Sequence, residues 1–125
     1  MTIDDDLAEF DREADFYIPM EELKQEKDPR YQQLVAGQWE GHEPEAFESG
    51  VVGAMDRVIV ANPSLRVAVV CHGGVINAYL AHVLGLPEPL FFYPEYTGIS
   101  RVMASRSGPR SIVSINEASH LRGLT

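Results

Sequence analysis

The sequence predicts a three-layer α/β domain, and three observations carry that reading. The run Val67-Ala68-Val69-Val70-Cys71 is short, continuously apolar and β-branched, as in a strand covered on both faces. Segments of helical periodicity flank it on both sides. The tail holds two strand-like stretches separated by Gly108-Pro109, a hairpin pattern. A β-rich tail after a helix–strand–helix unit is how a layered α/β domain reads. With 125 residues the chain makes a single domain, 1–125.

Each element has its own signal. Asp4-Asp5-Asp6 leads into the alternation around Leu7 and Phe10, which reads as an edge strand. Pro19, followed by Glu21 and Glu22, starts a helix that Asp28-Pro29 interrupts, and a second short helical run, Arg30 to Ala36, stops at Gly37. Pro44 opens the next helix. In it Phe47, Val51, Met55, Val58 and Ile59 form an apolar face to about Ala61, and Asn62-Pro63-Ser64 ends it. After the Val67–Cys71 run and His72-Gly73-Gly74 comes another helix, with Ile76, Tyr79, Leu80, Val83 and Leu84 as its apolar face and Gly85 as its stop. Ile99 to Ala104 and Ser111 to Ile115 are the two hairpin strands.

Composition narrows the function. The net charge is −9 and uneven: residues 1–50 hold 15 acids against 4 Lys and Arg, and residues 51–125 hold 4 against 6. No basic stripe is available to neutralise a nucleic-acid backbone, so no nucleic-acid partner is expected. Nothing approaches the apolar length of a membrane span, and the acidic start does not resemble a signal peptide, which predicts a cytoplasmic protein without membrane contact. The single cysteine, Cys71, allows no internal disulfide and no multi-cysteine metal site. His42, His82 and His120 lack metal-ligand spacing with acids and read as surface or structural residues, so no metal or cofactor is expected. Trp39 reads as a packing residue or a cleft wall.

The chemistry concentrates at His72. A buried strand that turns through glycines into a helix exposes N–H groups with no intrahelical acceptor, at the positive end of the helix dipole. That is an anion site, and Gly73 and Gly74 let a ligand approach the backbone closely. A histidine on its rim donates to a phosphoryl oxygen when protonated and accepts a proton when neutral. The blander reading is a histidine that merely caps a turn. Cys71 as the nucleophile of a cysteine-phosphatase loop fails, because the sixth residue after it is Asn77 where an arginine must grip the phosphate.

The segment Val67–Ile76, behind an amphipathic helix, resembles the second motif of the histidine phosphatase, or phosphoglycerate mutase-like, superfamily. Leu84-Gly85-Leu86-Pro87, Tyr96-Thr97-Gly98-Ile99-Ser100, Ile115-Asn116 and His120-Leu121 follow that family's C-terminal layout, and Leu7-Ala8-Glu9-Phe10-Asp11 resembles its L-x-E segment. The resemblance implies an α/β, three-layer, phosphoglycerate mutase-like sandwich that is incomplete, its nucleophile strand lying before Met1. It implies that His72 steadies the transferring phosphoryl group, that Gly73 and Gly74 bind substrate, and that Glu9 protonates the leaving oxygen. Glu40, in Gly37-Gln38-Trp39-Glu40-Gly41, is the alternative acid. The family's nucleophile sits in an Arg-His-Gly triplet, which occurs nowhere in the 125 residues. The expected partner is therefore a phosphorylated small molecule or phosphate ion, with catalysis absent or very slow. The alternative is a non-catalytic binding or oligomerisation module, a homo-oligomer paired through the exposed edge of the Val67–Cys71 strand.

Overall fold

The computed structural model describes residues 2–8, 44–105 and 108–123. The helices expected before Pro44 lie outside these residues. Asp5–Leu7 forms a 3-10 turn where the expected edge strand was to begin, and Glu9 and Phe10 of that expectation lie outside the described residues. The acids at the turn explain the difference. Asp4 accepts a hydrogen bond from the Asp6 backbone N–H at 3.0 Å, a local bond that competes with strand pairing. Arg57 then gathers Asp4 and Asp6, each at 3.0 Å.

Helix α1, Pro44–Ala61, starts at its proline with Glu45 in the first turn. It ends where the Asn62 amide donates to Val58 O at 2.8 Å and Ser64 turns left-handed at φ 61°. Val51 and Ala54 are its buried residues. Helix α2, Gly73–Leu84, ends at Gly85, which is left-handed at φ 73°. Gly85 N donates to His82 O and Leu86 N to Ala81 O, the paired bonds of a glycine C-cap. The expected apolar face of α2 is shifted in the structure. Gly74, Val75, Asn77, Ala78, Tyr79, Leu80 and Ala81 are buried while Leu84 is half-exposed, because α2 packs against more than one neighbour.

The hairpin forms as expected, with β1 Ile99–Ala104 antiparallel to β2 Arg110–Glu117. Its register shifts on either side of Arg101, which faces Ser114, and Asn116 is left-handed at φ 59° between the Glu117 and Ser114 pairings, in the manner of a bulge. Arg110 closes the turn, donating to Ser105 O at 2.6 Å and Gly108 O at 2.8 Å, and reaches Asp56 on α1 at 3.4 Å. A second 3-10 turn, Ser119–Leu121, follows.

Val51, Val75, Ala78 and Tyr79 form the centre of the core, with Leu7, Phe47, Val52, Met55, Cys71, Val83 and Val102 packed around it. Burying a valine such as Val51 or Val75 contributes about 1.5–3 kcal/mol. The core thus joins the first turn, both helices and β1 into one body.

The run Val67–Cys71 departs from expectation. Among the described residues it pairs with no strand, and β1 and β2 pair only with each other. Val67 is 48% and Val70 95% exposed, whereas Cys71 packs on the core, so the run is not covered on both faces. Apolar β-branched sequence favours a strand, but a strand exists only where another backbone lies alongside. The described residues therefore comprise two helices and a two-stranded antiparallel sheet, an α/β arrangement.

Candidate active site

His72 occupies the N-cap of α2 with extended backbone, φ −121° and ψ 169°, and its ring makes no capping hydrogen bond to the helix. It is exposed. Its carbonyl accepts the first bond of the helix, from Ile76 N at 3.0 Å. The side chain therefore stands at the helix N-terminus without serving as its cap, and Gly73 and Gly74 form the first two helical positions. The positive end of the α2 dipole lies beneath it.

Asn77, one turn further on and 2% exposed, ties this N-terminus to the loop before β1. Its Nδ2 donates to Gly73 O and to Phe92 O, both at 2.9 Å. Its Oδ1 accepts from Phe91 N at 2.8 Å and from Phe92 N at 3.0 Å. The hydrogen-bonding capacity of this amide is filled. The loop then passes the residue next to His72: a Cβ on Gly73 would sit 3.7 Å from Pro94 Cδ.

The far end of the same loop is held by β2 and the turn after it. Asn116 Oδ1 accepts from Glu95 N at 2.9 Å, and Asn116 N donates to Ser100 Oγ at 3.0 Å. Gly98 N donates to Glu95 O at 2.9 Å, closing a turn in which Thr97 is left-handed at φ 58°. A β-branched residue is strained there. His120 Nε2 holds it, 2.9 Å from Thr97 O and 3.3 Å from Thr97 Oγ1. A carbonyl only accepts, so His120 donates from Nε2.

The structure thus joins the segments around Thr97, Asn116 and His120 to each other, and the loop that they fix runs on to the His72 helix. His120 has the structural role its spacing suggested. His82 is exposed, with Nδ1 3.9 Å from Glu48 Oε1. Glu9, the expected acid, and Glu40, Trp39 and His42 lie outside the described residues. Asn77 was not foreseen as a site element. A lone amide on an otherwise apolar helix, one turn past two glycines, was its only signal. Asn116 and the Phe91–Pro94 loop were not foreseen either.

Several described cations have acidic partners: Arg57 with Asp4 and Asp6, Arg101 with Glu117 at 2.7 Å, and Arg110 with Asp56. The Arg57 guanidinium holds the Asp4 carboxyl below its ordinary range, and Ser114 and Arg101 hold Glu117 below its own. Among the described residues the buried Tyr79 hydroxyl has no hydrogen-bond partner, and Arg110 directs N–H groups at Ser105 O, Gly108 O and Asp56. Burial pushes its phenol up, against the opposing pull of Arg110. Among the described residues no three His, Cys, Asp or Glu gather as metal ligands. No helix among them is long and apolar enough to cross a membrane. A hollow of about 490 Å³ lies between the start of α1 and the end of α2, against Glu45, Glu48, His82 and Glu88, and His72 does not line it.

The model of the histidine phosphatase superfamily (branch 1) matches residues 1–117. No curated protein and no solved structure gives a significant match. A family match that runs through His72, Gly73, Gly74 and the Asn116 knot makes the assignment plain: the chain belongs to the histidine phosphatase superfamily, branch 1.

Proposed function

We propose that His72, Gly73 and Gly74 bind the phosphoryl group of a phosphorylated small molecule, or phosphate itself. The observation that carries this reading is the exposed His72 ring standing at the N-terminus of α2, uncommitted to capping it, within a chain of this family. The helix end supplies positive potential, an imidazole N–H donates to a phosphoryl oxygen, and the glycines allow backbone approach. Glu9 is the proposed proton donor to the leaving oxygen, with Glu40 as the alternative.

In the family's reaction the histidine of Arg-His-Gly attacks phosphorus and carries the phosphoryl group. No such triplet occurs in these 125 residues. We therefore assign the chain by itself phosphate binding with very slow phosphomonoester hydrolysis, on the incomplete three-layer sandwich inferred from its sequence. The reading further places the protein in the cytoplasm, with no nucleic-acid partner.

Calorimetric titration with phosphate or vanadate tests the site. Binding by the wild-type chain that weakens at least about tenfold in His72→Ala supports it, and equal binding by both overturns it. Turnover on the order of 10 per second by the purified chain would overturn the assignment of slow hydrolysis.

A second reading, that the chain serves as a non-catalytic oligomerisation module, is favoured by one observation. Val67–Val70 is apolar, belongs to no strand among the described residues and is 95% exposed at Val70. A backbone of this kind recruits a second copy.

A further inference from the structure

The loop that Asn77 and Asn116 hold beside His72 is aromatic and outward-facing. Within six residues it presents Phe91 at 38%, Tyr93 at 59% and Tyr96 at 68% exposure. Single exposed aromatics are ordinary, but a cluster on a fixed backbone is a recognition surface. The backbone here is held at both ends, by three hydrogen bonds to Asn77 and by the Asn116 and His120 contacts. At its far end Thr97 is held left-handed at φ 58°, and Gly98 leaves no room for a side chain beside Asn116 Oδ1 and Glu95 O. Pro94, between the aromatics, lies against the residue next to His72.

We propose that this loop is the specificity wall of the His72 site, that it selects phosphomonoesters of flat, apolar alcohols such as aryl phosphates, and that Asn77 is its positioning residue. The proposal rests on the phosphate-binding reading of His72. The phosphoryl group sits at the helix end and the organic group lies along Tyr93 and Tyr96. A compact polyol phosphate offers these rings little. An aromatic contact is worth about a threefold to tenfold preference, and a preset loop loses little of it to ordering.

The test compares phenyl phosphate, glycerol 2-phosphate and inorganic phosphate as ligands of the full chain, by calorimetric or NMR titration. Phenyl phosphate should bind about threefold to tenfold more tightly than glycerol 2-phosphate. That ratio should fall toward one in Tyr93→Ala, in Tyr96→Ala and in Asn77→Ala. The two tyrosines are exposed, so their variants keep the test valid if Asn77→Ala fails to fold. His72-dependent phosphate binding with no phenyl preference, or a preference that survives both tyrosine substitutions, overturns the wall alone. Phosphate binding that is absent, or indifferent to His72→Ala, overturns the His72 reading and the wall with it.

Discussion

Asn77 holds Phe92 by both of its backbone polar groups, donating to the carbonyl at 2.9 Å and accepting from the amide at 3.0 Å. This makes one side chain of α2 the anchor of a loop fifteen residues away. Asn77→Ala leaves Phe91 N, Phe92 N and Phe92 O without their partner in a partly buried setting. The expected loss is about 2–4 kcal/mol, since each unsatisfied buried group costs about 1–3 kcal/mol. Urea unfolding measures it.

Gly98 has no room for a side chain. A Cβ there would lie 2.8 Å from Asn116 Oδ1 and 2.9 Å from Glu95 O. Gly98→Ala should cost about 1–3 kcal/mol through displacement of the Asn116 knot. Gly50→Ala is the control. Its Cβ would come no closer than 3.7 Å to Asp6 Oδ1, and replacing a helical glycine should stabilise by about 0.5–1 kcal/mol. Thermal melts of the two variants should move in opposite directions.

Glu117 gives the fold an acid-sensitive element. Ser114 and Arg101 favour its ionised form, so its folded pKa lies below the ordinary 4.5. A depressed carboxylate stabilises the fold above its unfolded pKa, and the contribution disappears as pH falls through the folded value. Asp4, held below 3.8 by Arg57, acts in the same sense. Melting temperature should therefore drop below about pH 4.5, and Glu117→Gln should flatten that drop while lowering stability near neutral pH. An unchanged profile in Glu117→Gln would contradict the assignment.

The 95% exposure of Val70 makes it the probe of self-association. Light scattering should find a species larger than the 13.9 kDa chain, and Val70→Lys should shift it toward the monomer. A monodisperse wild-type monomer would remove the oligomerisation reading.

Much of the described fold was legible because its signals are local. Pro44 and Gly85 mark helix ends through backbone rules that need no tertiary information, and Gly108-Pro109 marks the hairpin in the same way. Val67–Cys71 misled because β-branched residues report a preference, while pairing depends on a neighbour that sequence does not specify. At Asp5–Leu7 a turn replaces extended chain because the Asp4 side chain satisfies the Asp6 amide that a strand would have offered to a partner. The site divides along the same line. His72-Gly73-Gly74 could be placed at a helix start from three adjacent residues. Asn77 could not be read as an anchor, because its partners are backbone groups of Phe91 and Phe92, which carry no residue-specific signal. His120 supporting a left-handed Thr97 is hidden for a like reason, since the strain is created by the turn and not by the residue.

The most direct measurement of the central claim is an NMR titration of the isotopically labelled chain with inorganic phosphate. The account predicts saturable shifts at the Gly73 and Gly74 amides and the His72 ring, lost in His72→Ala. Shifts that are absent, or that fall elsewhere while these three stay still, would contradict it.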